Sequence, residues 1–276
     1  MSRAKQTNDK NPERVQKLLA KYGIGSRRKI EEYIEQGRVK VNGKVTALGD
    51  KASEGDKISF DGKALHSYGQ PMTRPRVLIY YKREGEVCTS KDEKDRKTVF
   101  DSLPKLAKSH WIMVGRLDIN TTGLLLFTTD GDLANRLMHP SYQIEREYAV
   151  RVFGEQLPDE IINKFKVNKF KEGIQLEDSM AKFNSIKFSG GDGVNLWYHV
   201  TLSEGRNREI KRMFETVGVT VGRLTRIRFG DIVLPKFISC GKTLELNPSE
   251  VNRLRKSVKL KEYNFPKKLV ERLEKK

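Results

Sequence analysis

Cysteine is nearly absent from this 276-residue chain: Cys88 and Cys240 are the only two, and they form no close C-x-x-C pair. That argues against a disulfide framework and a cysteine-based zinc site, and it points to a reducing, cytoplasmic setting. Histidine is also sparse. His66, His110, His139 and His199 are scattered, so each reads as solvated or structural and no metal site is expected. Long apolar runs are missing. Leu124–Phe127 stops far short of the ~20 residues that span a bilayer, and the first dozen residues hold no apolar signal core. No membrane association is expected. Several nucleotide and hydrolase signatures are missing too. Gly241-Lys242-Thr243 has no upstream glycine to make a phosphate loop, and neither G-x-S-x-G nor H-E-x-x-H occurs.

What the chain does have is positive charge. Lys+Arg number 54 against 36 Asp+Glu, a formal net charge of +18. Such an excess does not build a fold, but it attracts RNA, DNA or an anionic membrane surface. The charge is concentrated at the ends. Residues 1–72 hold 15 basic and 9 acidic side chains, and residues 250–276 hold 10 and 4. This pattern suggests a catalytic or structural centre flanked by polyanion-gripping ends.

The first ten residues lack apolar periodicity and read as a disordered basic arm. A helix is expected from Pro12, with Asn11 as its cap, Glu13 near its positive end, and Val15, Leu18, Leu19 and Tyr22 on one face. Gly23 ends it. A second helix runs from the cap Ser26 to Gly37, with Ile30, Tyr33 and Ile34 inward. Arg27, Arg28 and Lys29 occupy its first turn, where the macrodipole disfavours cations. They are either a solvated face or, together with free N–H donors, a phosphate cradle; the second reading accounts for the unfavourable placement. Val39 and Val41 alternate with Arg38 and Lys40 before the Asn42-Gly43 hairpin turn, and Ile58 and Phe60 precede the turn Asp61-Gly62. Arg38 and Lys40 join the candidate backbone-binding cations. Residues 11–65 resemble the small RNA-binding domain named after ribosomal small-subunit protein four.

Residues 66–75 read as a linker, residues 76–249 as a larger domain and 250–276 as a basic tail, in which Pro266 interrupts any helix. Strands are expected at Val77–Tyr81 and over 124–129, 147–153, 181–188, 196–202 and 226–233. Helices are expected over Asp132–Met138, near 158–166 and over Arg208–Val217. Gly190–Gly193 reads as a tight hairpin turn. The fold class is α+β: a small helix-helix-hairpin domain plus a larger, mixed and mainly antiparallel sheet domain.

The chemistry centres on Gly115-Arg116-Leu117-Asp118, a turn before the apolar block Leu124–Phe127. A lone carboxylate beside an arginine in a basic chain is a candidate for work on a polyanion, although by itself the tetrapeptide is also an ordinary polar turn with a surface ion pair. The longer context carries more. "MVGRLDINTTGLLLFTTDGDLANRLMHP" (113–140), "IEREYAV" (144–150), "LSEGRNREIKRMFETVG" (202–218) and "RLTRIRFGDIVL" (223–234) resemble, in order and spacing, the motifs of pseudouridine synthases of the RsuA/RluB family. The resemblance covers about residues 12–245. It implies that Asp118 is the catalytic aspartate, that Arg116 displaces or replaces the target base, and that Tyr148 contacts the uracil. It further implies that Lys211 is the basic partner of the aspartate, with Arg208 and Arg212 as adjacent rivals, and that Ile210 and Leu224 line the base pocket. From the residues alone, Arg116 is equally a structural ion pair with Asp118, Tyr148 a plain strand aromatic and Lys211 a solvated helix position. The family's reaction implies no cofactor. The implied partner is ribosomal RNA, which an assembly intermediate would also present, and the chain is expected to act as a monomer. "YYKREGEVCTS", "TVFDSLP" and Gly173–Asp178 look most like members acting on the large subunit. The alternatives are a small-subunit enzyme or a non-catalytic RNA chaperone or ribosome-assembly factor.

Overall fold

The computed structural model describes residues 12–53, 55–68, 74–107, 109–165, 173–267 and 270. The expected basic arm and the cap Asn11 lie outside them. The chain divides into two compact units. One runs to Arg74 and takes in Leu106–His110, and the other comprises Pro75–Lys105 and the chain from Trp111 onward.

In the first unit, β1 (Glu13–Arg14) precedes α1 (Val15–Lys21) and α2 (Arg27–Glu35), followed by β2 (Val39–Val41), β3 (Lys44–Val45), β4 (Lys51–Ala52), β5 (Ile58–Phe60) and β6 (Lys63–Ala64). The helix expected from Pro12 begins three residues later. Glu13 and Arg14 are drawn instead into antiparallel pairing with Ala52 and Lys51. Glu13 still serves the helix, since its carboxylate holds Lys17 and Lys21. Gly23 and Gly37 take positive φ and end the two helices as expected. Both two-residue turns, Asn42-Gly43 and Asp61-Gly62, take positive φ at both positions, which matches the twist of the flanking strands. Val15, Leu19, Ile30, Ile34, Val39 and Phe60 form the core. Part of the expected linker is ordered: Leu65–Tyr68 make a 3-10 turn anchored by buried Leu65.

The second unit is built on β7 (Val77–Lys82), β8 (Ile112–Val114), β9 (Thr122–Thr128), β10 (Arg146–Phe153), β11 (Ile174–Gln175), β12 (Met180–Ala181), β13 (Ser185–Asp192), β14 (Asn195–Leu202), β15 (Val221–Phe229), β16 (Ile232–Val233) and β17 (Thr243–Glu245). Its helices are α3 (Gly131–Met138), α4 (Asp159–Phe165), α5 (Glu209–Thr216) and α6 (Pro248–Ser257). The sheet runs β13-β14-β10-β15-β9-β7-β17, and only the β15–β9 pair is parallel. This is the mixed, mainly antiparallel sheet expected. β7 and β9 are buried on both faces, so their sequences are unbroken apolar runs. β10 buries only alternate residues, and β14 does so as far as Val200.

Four expectations change. The strand at 181–188 splits into β12 and β13, with buried Phe183 between them packed on Phe165 and Phe214. The strand at 226–233 begins at Val221 and breaks at Gly230, which takes positive φ. The Gly190–Gly193 turn shifts along the chain: Asp192 pairs with Asn195, and Gly191 sits in a register shift where its Cα closes on the backbone of β14. The expected basic tail is no appendage. Asn247 and Glu250 make a capping box, Pro248 starts α6, and Val251, Leu254 and Val258 are buried against Val77, Leu126 and Leu137. No helix among the described residues is long and apolar enough to cross a membrane.

Candidate active site

Asp118 sits in the connection between β8 and β9, and backbone contacts fasten that connection. Thr121 N donates to Asp118 O (3.0 Å), Gly85 N to Ile119 O (2.8 Å), and Leu117 N to Cys88 Sγ (3.4 Å). The main clamp is Lys82, which is fully buried at the end of β7. Its Nζ donates to Arg83 O (2.9 Å), Ile119 O (3.2 Å) and Thr121 O (3.0 Å). Burial pushes its pKa down, while the charges of Glu86 and Asp118, among others, pull it up. Sequence reading missed Lys82, although a signal existed: Leu78, Tyr80 and Lys82 continue one period-2 face of a strand otherwise wholly apolar.

Gly123 makes the next step possible. It has φ +102°, and a Cβ there would overlap Arg226 O and lie 2.7 Å from Arg226 N. Only glycine lets β9 approach β15 at this point, where Gly123 pairs with Arg226. The approach brings the Asp118 turn alongside β15.

A pocket of about 610 Å³ results, walled by Arg116, Asp118, Tyr148, Arg208, Ile210 and Leu224 among others. Six of the sequence-predicted residues thus meet at one cavity. Tyr148 projects from β10 directly opposite Arg226 on β15, Leu224 lies two residues back on the same face, and Ile210 descends from α5. No ion pair joins Arg116 to Asp118 among the described residues, and Arg116 is exposed, free to meet a ligand. Arg208 caps α5 with φ +47° and reaches Glu215 Oε1 (3.2 Å).

Two candidates stand apart from the wall. Arg212 is turned away, engaged by Asp178 through both Nη atoms at 3.1 and 3.2 Å. Lys211 is buried behind the wall, with no ion pair to Asp118 within 4.0 Å among the described residues. Burial lowers its pKa, and the field of Asp118 opposes that shift. Any effect of Lys211 on Asp118 therefore acts through space, without a direct ion pair. It implies a pH effect. If activity needs the Lys211 ammonium, kcat falls as pH rises through a value below the ordinary ~10.4 of lysine, and Lys211→Arg moves that alkaline limb upward and out of range. Rates of tritium release across alkaline pH measure it. For stability the sign differs: the unfolded chain holds this proton longer, so the burial cost of the charged form is relieved as pH rises through the same window.

The sequence reading also missed Arg146 and Arg226. Arg146 Nη1 donates to Ile144 O, Ser203 O and Glu204 O, and its guanidinium lies 5.2 Å from the Phe229 ring centroid. Arg226, only 2% exposed, donates from Nε to Leu124 O (2.7 Å) and lies 5.3 Å from the same ring. The pocket thus sets Asp118 among arginines, and its other acid, Glu209, is held by Arg206 at 2.9 Å.

In the first unit, Ser26 Oγ accepts Lys29 N (3.2 Å), and Lys29 Nζ is paired with Glu32 (2.5 Å). Arg38 donates to both oxygens of Asp61 (2.7 and 2.5 Å) and stacks 4.2 Å from the Tyr33 ring centroid. Arg27, Arg28 and Lys40 are exposed.

The two units are thus a small cation-bearing module and a mixed-sheet unit with an acid-and-arginine pocket. The comparisons with known proteins narrow the class. The "RNA pseudouridylate synthase" family model matches residues 76–216 and the "S4 domain" model residues 13–58. Over 262 residues the chain is 53% identical to "Ribosomal large subunit pseudouridine synthase B" of Escherichia coli (strain K12), covering 94% of this chain and 88% of that one. The protein of the same name in Yersinia pestis is 54% identical over 90% of this chain and 77% of that one. A solved structure described as "Crystal structure of pseudouridylate synthase" aligns at TM-score 0.59 with 28% identity, over 87% of this chain and 99% of that chain. The chain belongs to the pseudouridine synthase family, with an S4 domain preceding the synthase domain.

Proposed function

We propose that this protein isomerises a specific uridine of large-subunit ribosomal RNA to pseudouridine. The observation that carries the reading is Asp118 set with Tyr148, Ile210 and Leu224 in a pocket walled by arginines, in a chain 53% identical to large-subunit synthases. The reaction breaks the bond from uracil N1 to ribose C1′, rotates the uracil, joins C5 to C1′ and releases the C5 proton. Nothing is oxidised overall, so no electron-accepting cofactor is called for. Asp118 acts through its carboxylate on the sugar or the base. In this reading Tyr148 stacks on the pyrimidine and helps remove the proton at C5. Flipping the nucleotide costs a few kcal/mol, offset by phosphate contacts, and Arg116 fills the space it leaves. The substrate is read as ribosomal RNA, free or within an assembly intermediate, handled in the cytoplasm by a single copy of the chain.

The test is tritium release from large-subunit RNA labelled at uracil C5. Stoichiometric release from one position is expected; none, with RNA bound, refutes the reading.

The S4 domain supplies affinity in this scheme. Among the described residues Arg27 and Arg28 have no ion-pair partner at the start of α2, unlike Lys29 and Arg38. Arg27→Ala with Arg28→Ala should flatten the plot of log K against log salt by about 1.4 to 1.8, the loss of two phosphate contacts. An unchanged slope in filter binding removes the phosphate cradle.

A further inference from the structure

The reverse of the catalytic sheet carries its own chemistry. Along β10, Tyr148, Val150 and Val152 are buried on the pocket side, so Ala149, Arg151 and Phe153 project from the opposite face. Pairing sets Trp197 of β14 and Arg223 of β15 on either side of Arg151. The next row holds Lys187 and His199. Phe153 is 45% exposed, Lys187 and Arg223 are exposed, and Trp197 is half-buried.

Two features of this row are unfavourable in the protein alone. Arg151 and Arg223 are like charges directly opposed across a strand pair, an arrangement that destabilises a sheet. Among the described residues neither has an ion-pair partner. Arg151 Nε is also shielded from water with no hydrogen-bond acceptor, while its guanidinium lies 5.3 Å from the Phe153 ring centroid. A ligand relieves the first of these: an anion held between two guanidinium forks, whose geometry suits phosphate. Trp197 and Phe153 add aromatic faces beside the cations, the combination that stacks bases of single-stranded nucleic acid without sequence preference. A hollow of about 530 Å³ opens at the adjoining rows, beside Lys187 and His199. The carboxylates that border it, Glu145 and Glu147, are engaged by Arg228 at 2.5 and 2.8 Å, so their charge is compensated.

We propose that this reverse face, centred on Arg151, Arg223 and Trp197, is a second RNA-binding surface that grips a backbone phosphate and stacks a base of a single-stranded segment away from the target uridine. The proposal rests on the reading of RNA as the substrate. An acidic protein would meet the same cations, but it would not use the aromatic faces.

The experiment uses the full chain, titrated with full-length large-subunit rRNA transcript and with an oligouridylate of about ten residues, within the size range of single-strand sites. Oligouridylate should quench Trp197 emission in a Trp111→Phe background. Arg151→Gln with Arg223→Gln should weaken transcript binding about tenfold and reduce the salt slope by about 1.4, two single-strand phosphate contacts. The loss should appear in KM, with kcat at saturating transcript unchanged, and Arg151→Lys with Arg223→Lys should restore most of the slope. Unquenched emission together with an unchanged slope overturns the proposal. So does a lowered melting temperature with an unchanged slope, which would make these residues parts of the sheet only. If wild-type protein releases no tritium, the enzymatic reading fails; if it is active and the variant slope is unaltered, only this surface falls.

Discussion

Asp118→Asn should reduce kcat for pseudouridine formation by at least about 10⁴-fold, the scale of losing a group that acts directly on the substrate. The substitution is well suited to the question. None of the contacts fastening its loop uses the Asp118 carboxylate: Lys82 holds the carbonyls of Ile119 and Thr121, and Cys88 holds Leu117 N. The turn itself closes through backbone atoms. An amide of the same size therefore leaves the pocket shape in place and removes only the charge and the reactive oxygen. RNA affinity should change little, because arginines and the S4 domain supply it. Tritium release and gel-shift titration on the same preparation separate the two effects. Wild-type turnover in the variant would take Asp118 out of the chemistry. The non-catalytic chaperone reading, which needs the basic surfaces and no carboxylate, would require that the wild-type protein bind RNA and release no tritium.

Gly123→Ala should be the most damaging single methyl in the protein. The new Cβ would overlap the Arg226 carbonyl across the β9–β15 pair, and alanine resists φ +102° besides. Neither strand can retreat. β9 is packed on both faces, and Arg226 is tied to Leu124 O from the other side. A loss of about 4 kcal/mol or more is expected, a fall in melting temperature of roughly 8 to 16 °C for a unit of this size. Gly115→Ala is the control. Gly115 also has positive φ (+75°), but its Cβ would meet nothing within 4 Å. It should cost only the conformational term of about 1–2 kcal/mol. Differential scanning calorimetry distinguishes them, and equal losses would mean that backbone strain, with no contribution from the strand contact, sets the penalty.

Much of this was legible in the residues. Local signals gave both S4 helices after their first turn, both hairpin turns, and the strands β7, β9, β10 and β14, because caps, glycines and period-2 burial act within a few residues. Where local signals misled, a distant partner decided. Glu13 and Arg14 look like a helix start, but Lys51 and Ala52 recruit them into a strand pair. Residues from 250 onward look like a basic tail, but Val251, Leu254 and Val258 lie on one helix face that closes the core. The predicted acid, aromatic and apolar residues meet at the pocket, yet Arg212 beside them is held off by Asp178, a partner no spacing rule would select.

By itself, then, the sequence determined the family and the two-part architecture and singled out Asp118 as the candidate acid, because ordered motifs and periodic burial are written in consecutive residues. Tertiary structure alone decided which cations lie near that acid. Lys82 and Arg226 become site residues only when β7, β9 and β15 are laid side by side, and Lys211 is set behind the wall only when α5 packs there. Charge acts through space, and the distances that matter here separate residues that lie tens of positions apart in the chain.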